Sequence, residues 1–195
     1  MTSSDDSTSV DAIFRDGLDY FGSVVERLED DRWDRPSRCE GWTNLDVLCH
    51  VGAVLDMATD VAGGRQHQFR SVDRPAEHVA GSPRAYWSAQ AAKARAAVAD
   101  ADLQRECSTE MGTMTIGQRL GFPAIDLHVH AWDIGKDEGI DLTIPVEVVA
   151  LSERSLGRFP EDVVRSMGVF GPRVELAEDA SSSDRFLAFT GRDPR

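Results

Sequence analysis

Residues 115–138 read TIGQRLGFPAIDLHVHAWDIGKDE. Ile116, Leu120, Ala124, Leu127, Ala131 and Ile134 recur in steps of three and four, the spacing of an apolar stripe along one helix. Arg119, Asp126, His130 and Asp133 run along one edge of that stripe. Steps of three, four and seven stack side chains on one face, so the Asp126 carboxylate stands one turn from the His130 imidazole. A carboxylate beside a buried stripe is costly unless it is paired or bound to a metal. A second pattern overlies the first, because Asp126, His128 and His130 alternate with Leu127, Val129 and Ala131 as on a strand. Pro123 suits neither pattern, since it kinks a helix and removes a hydrogen bond from a central strand. The alternation is short and the stripe long, so the stretch is read as a helix, the fourth of the chain.

Upstream, Ser82-Pro83 pairs an N-cap with proline at the first helical position. The Ala-rich run from there to Asp102 is a third helix, joined to the fourth by a short connector with Gly112. Residues 65–81, with His67, Pro75 and His78, lack periodicity and read as a surface loop. Thr43-Asn44-Leu45-Asp46 has capping-box spacing, so a second helix starts near Asn44 and ends at Gly63-Gly64. Its buried stripe is Val47, Val51, Val54, Leu55, Ala58 and Val61, and His50 lies among them. DDRWDRPSRCEGW carries turn signals at Pro36 and Gly41 and reads as a loop. A first helix spans residues 9–29, preceded by a Ser/Asp leader over residues 1–8 expected to be disordered.

Downstream, Ile144-Pro145 begins a short fifth helix that ends around Gly157. From Phe159 onward proline and glycine fragment the pattern. Residues 166–195 read as an irregular tail with one short helix, DRFLAFT, capped by serines 181–183 and stopped by Gly191. The expectation is a single all-α domain over residues 1–195: a four-helix bundle with short extra C-terminal helices.

Composition narrows the function. A formal net charge of −13 with no Lys/Arg cluster argues against nucleic-acid binding. No apolar run is long enough to span a bilayer, and the N-terminus lacks the features of a signal peptide. Cys39, Cys49 and Cys107 are odd in number and follow no CxxC pattern, which fits a reducing, cytoplasmic setting.

If the second and fourth helices face each other, His50 meets Asp126 and His130. Two imidazoles and a carboxylate make three protein ligands, the number common in catalytic zinc sites with one open position; Ni²⁺ or Fe²⁺ would also suit them. Each residue has a plainer reading. His50 alone would be a hydrogen-bonded core histidine, and Asp126 with His130 an ordinary helix pair. Asp46 caps the second helix, Arg119 neutralises a neighbouring acid, and Cys49 is a small core residue. His128 lies about 200° round the helix from His130 and points elsewhere on the helical reading. His67 and His78 read as exposed loop residues.

GWTNLDVLCHV at residues 41–51 and DLHVHAWDI at residues 126–134 together resemble the DinB-like superfamily. The closer likeness is to the metal-binding domain of mycothiol-dependent maleylpyruvate isomerases, and the closing FLAFTGRDP resembles the tail of a related group of bacterial metal-binding proteins. The resemblance implies a DinB-like bundle holding one divalent metal on His50, Asp126 and His130, and the ligand types put zinc before nickel or iron. The isomerases usually have Glu where this chain has Asp126, and they carry a further C-terminal domain for which 195 residues leave no room. The function so implied is a transferase or isomerase using mycothiol or a similar small thiol, its pKa lowered at the open metal position, against a small-molecule electrophile. Asp133 would then hydrogen-bond a ligand or carry a proton, and Arg119 would hold a substrate carboxylate. A metal-dependent hydrolase with Asp133 as base, and a non-catalytic metal- or ligand-binding bundle, possible as a homodimer, are the alternatives.

Overall fold

The computed structural model describes residues 9–67, 75–79, 81–109, 112–157, 160–166, 168 and 170–195. Within them the amphipathic patterns become helices α1 (Val10–Arg27), α2 (Asn44–Ala62), α3 (Pro83–Ala99) and α4 (Ile116–Gly135). The expected disordered leader lies outside the described residues. Side-chain caps fix where three of these helices begin. Thr43 and Asp46 form a capping box on α2, Thr115 and Gln118 another on α4, and the Ser82 hydroxyl accepts from the Ala85 amide on α3. α4 runs through Pro123, whose missing N–H leaves one carbonyl of the preceding turn without its helical partner.

α1 packs on α4 and α3, and α2 packs on α3 and α4, so the four helices close a ring with α1 and α2 at opposite corners. Phe14, Leu18 and Phe21 of α1, Val47, Val51 and Leu55 of α2, and Leu120, Leu127 and Ile134 of α4 fill its centre. Each such side chain contributes about 1.5–3 kcal/mol when fully buried. α3 buries only Trp87, Ala94 and Val98, and its small residues let α2 come close. A Cβ on Gly52 of α2 would lie 2.1 Å from the Tyr86 hydroxyl of α3, so a larger residue there would have to displace the Tyr86 ring.

The structure departs from the sequence reading at the connector before α4. Strands β1 (Glu106–Thr109) and β2 (Gly112–Thr115) form an antiparallel hairpin there, with Cys107 opposite Met114. The strands are short and rich in threonine, and Gly112 takes φ +103°, a turn conformation that L side chains rarely adopt. α3 also ends three residues earlier than expected. Asp102 accepts from the Gln104 amide (3.1 Å) and so stabilises a turn that competes with further helix.

After α4 a 3₁₀ turn (Lys136–Glu138) leads to α5 (Val146–Leu156), α6 (Glu161–Ser166) and α7 (Ser182–Phe189). The single turn and a half of α6 is helix where the sequence reading had none. α5 packs on α4 and α7, which brings the end of the chain back beside α4. Gly191 follows α7 at φ +91°, and a Cβ there would sit 2.7 Å from the Gly171 backbone. No helix among the described residues is long and apolar enough to cross a membrane.

Candidate metal centre

α2 and α4 converge on Asp126. The His50 Nε2 lies 3.4 Å from one carboxylate oxygen of Asp126, and the His130 Nε2 lies 3.4 Å from the other. The two imidazole rings meet edge to face with centroids 4.8 Å apart. Helical spacing explains the α4 half of this arrangement, since Asp126 and His130 are one turn apart. The α2 half follows from burial of Val47, Val51 and Val54, which turns His50 toward α4. Trp42, in the loop before α2, sets its ring 5.1 Å from that of His50.

His130 is held from behind. Its Nδ1 lies 2.8 Å from Asp133 Oδ2, so it donates to that carboxylate while Nε2 faces Asp126. Asp133 is fully buried and takes two hydrogen bonds of 2.6 Å from Arg192, Nε to Oδ1 and Nη2 to Oδ2. The Cys39 thiol donates to the same Oδ2 (3.1 Å), and its sulfur lies 3.6 Å from His130 Nδ1. The Arg38 amide donates to the Asp133 carbonyl (3.1 Å), tying the Cys39 loop to α4 by backbone as well.

These charges control each other. Burial alone would raise the Asp126 carboxyl, but His130 and His50 hold it far below the usual carboxylate range. Burial likewise opposes the His130 charge, yet Asp126, Cys39 and the hydrogen bonds to Asp126 and Asp133 raise its pKa well above the ordinary value. Burial would raise Asp133 too; the Arg192 charge and the bonds from His130 and Arg192 outweigh it and keep the group ionised.

The geometry fits a divalent cation. The Oδ2 of Asp126 is buried without a hydrogen-bond partner, a costly state for a carboxylate oxygen that a cation would relieve. Ligand atoms bound tetrahedrally at zinc distances are about 3.3 Å apart, and each imidazole nitrogen lies 3.4 Å from one of the two Asp126 oxygens. Among the described residues, His50, Asp126 and His130 form one group whose ligand atoms lie within 4.8 Å of one another; Cys39, His130 and Asp133 form another. The second group uses the His130 nitrogen already bonded to Asp133, and Arg192 occupies its carboxylate, so the first is the better cation site.

The remaining residues singled out by sequence fall elsewhere. Arg119 sits about 10 Å along α4 from Asp126, and its guanidinium reaches the Cys107 sulfur (4.0 Å), so it is not brought to the centre. His128 is buried on another side of α4, bonded to the Ala124 carbonyl (2.8 Å) and stacked near Tyr20. His67 is paired with Asp60 (2.7 Å) rather than free in a loop, while His78 is exposed. Sequence reasoning missed Cys39 and Arg192. The buried acid of HAWD signals that a cation must be near, and the arginine in the closing GRDP is one such cation; no sequence pattern marks Cys39.

Residues 14–135 match the family model described as the mycothiol maleylpyruvate isomerase N-terminal domain. The chain belongs to that family. This DinB-like assignment covers His50, Asp126, His130, Asp133 and Cys39, whereas Arg192 lies beyond it. Two solved structures, of a mycothiol-dependent maleylpyruvate isomerase and of a histidine-to-alanine mutant of it, share the family fold, each with a TM-score of 0.57. They are 19% and 17% identical to the chain, and each alignment covers 73% of this chain and 65% of the isomerase chain. No curated protein matches the chain.

Proposed function

We propose that this domain holds one divalent cation, zinc in preference to nickel or iron, on His50, Asp126 and His130. With it the domain would activate a small thiol of the mycothiol type for transfer to, or isomerisation of, an electrophilic small molecule. The observation that carries this reading is the buried Asp126 carboxylate, each of its oxygens 3.4 Å from one imidazole nitrogen and its Oδ2 without a hydrogen bond. The family and the mycothiol dependence of the matched isomerase support the choice of thiol.

The chain's own residues divide the work. His50 and His130 present neutral Nε2 atoms when a metal is held, and Asp126 cancels one of its two positive charges. Bound there, the cation lowers the pKa of a coordinating thiol so that a thiolate exists at neutral pH. Asp133 orients His130 and keeps its Nδ1 proton in place. A carboxylate clamped by an arginine and held ionised is a poor proton acceptor, so Asp133 serves as an anchor rather than the base a hydrolase would need.

Purified protein incubated with zinc and desalted should retain one equivalent, and His50→Ala should abolish stoichiometric retention. Conjugation of mycothiol to a model electrophile should require the same metal. Conjugation that persists in His50→Ala stripped of metal would overturn the proposal.

A further inference from the structure

The family match ends at residue 135, yet a side chain from the last turn of the chain reaches the centre. α7 stops at Phe189, and Thr190 and Gly191 turn the backbone so that the Arg192 amide bonds the Leu187 carbonyl (3.0 Å). The positive φ of Gly191 and its close approach to Gly171 make this turn specific to glycine. Arg192 thus reaches back from the tail to the Asp133 carboxylate, two bonds of 2.6 Å to its two oxygens forming a fork.

The fork does more than neutralise a buried acid. Asp133 could adopt other side-chain rotamers, and a single ammonium contact would leave its carboxylate plane free to turn. Two bonds, one to each oxygen, fix that plane. Oδ2 then points at His130 Nδ1 (2.8 Å), which sets the rotation of the imidazole and aims Nε2 at Asp126. Histidine ligands gain affinity from such carboxylate support, and its loss typically costs about 10- to 100-fold in metal binding.

We infer that Arg192 is a positioning residue of the metal centre: the C-terminal turn clamps Asp133, and Asp133 aims His130. The inference rests on the proposed metal ligands and extends the centre to a segment outside the family match. The support behind His130 is complete only when the tail is docked.

The test is zinc titration of the full chain against a competing chromophoric chelator, with Co²⁺ absorption as a probe of ligand geometry. Wild type, Arg192→Met and Arg192→Lys are compared, with thermal melts of each metal-free protein. Folded Arg192→Met should bind zinc about 10- to 100-fold more weakly and show an altered Co²⁺ spectrum. Arg192→Lys, which keeps the charge but not the fork, should fall between the two. Equal affinity and an unchanged spectrum in folded Arg192→Met overturn the clamp alone. Should that variant fail to fold, Arg192→Lys decides on the same two readouts: wild-type values overturn the clamp and an intermediate loss supports it. Wild-type protein that takes up neither zinc nor cobalt overturns the metal reading, and the clamp with it.

Discussion

If the centre takes zinc as proposed, uptake should release a proton, and His130 is the group expected to supply it. His130 stands between Asp126 and Asp133, with contacts of 3.4 and 2.8 Å. Burial disfavours its charge, but Asp126, Cys39 and the two carboxylate hydrogen bonds win, so its pKa is raised well above 6.5. The raised pKa favours the cationic ring, and only the neutral ring can ligate. The sign follows: below the raised pKa, each unit of acidification weakens apparent zinc affinity about tenfold, or about 1.4 kcal/mol. The dissociation constant should therefore fall as the pH rises from 6 to 7, with proton release from His130 on zinc binding. Calorimetric titration at pH 7 in buffers of different ionisation enthalpy measures that proton directly. Asp126→Asn removes the charge that most favours protonation of His130, so the variant should bind zinc more weakly yet with a flatter pH dependence. Affinity independent of pH from 6 to 7, with no proton released, would refute the charge assignment.

Two further outcomes follow from the packing. Gly191→Ala forces an L residue to φ +91° and sets a Cβ 2.7 Å from the Gly171 backbone. Left-handed strain of about 1–2 kcal/mol and crowding of about 1–3 kcal/mol should lower the melting temperature by about 5–15 °C; a shift under about 2 °C would contradict the turn. His128→Gln removes a buried ring that bonds the Ala124 carbonyl and packs near Tyr20. That variant should lose stability, read by denaturant titration, while zinc affinity stays within a factor of about two; a large loss of zinc binding would revive a ligand role for His128.

The helical reading of residues 115–138 was legible because the apolar stripe persisted through several turns, whereas the strand-like alternation covered only six residues. The structure turns the three residues of that alternation apart: Asp126 and His130 face α2, and His128 faces α1 near Tyr20. The hairpin before α4 was not legible, since two four-residue strands with a Gly turn differ little in composition from a loop. Arg119 shared a helical face with Asp126, but two turns along α4 put its guanidinium against Cys107 instead.

Local pattern by itself determined the helices, their caps and the pairing of Asp126 with His130, because hydrophobic period and i, i+4 geometry are properties of a few neighbouring residues. Tertiary structure alone decided what surrounds that pair. His50 arrives from 76 residues upstream through the α2–α4 contact, Cys39 from a loop and Arg192 from 59 residues past Asp133. A buried carboxylate on a helix requires a cation or other partner. Which cation reaches it, and from what direction, is settled only when distant segments pack.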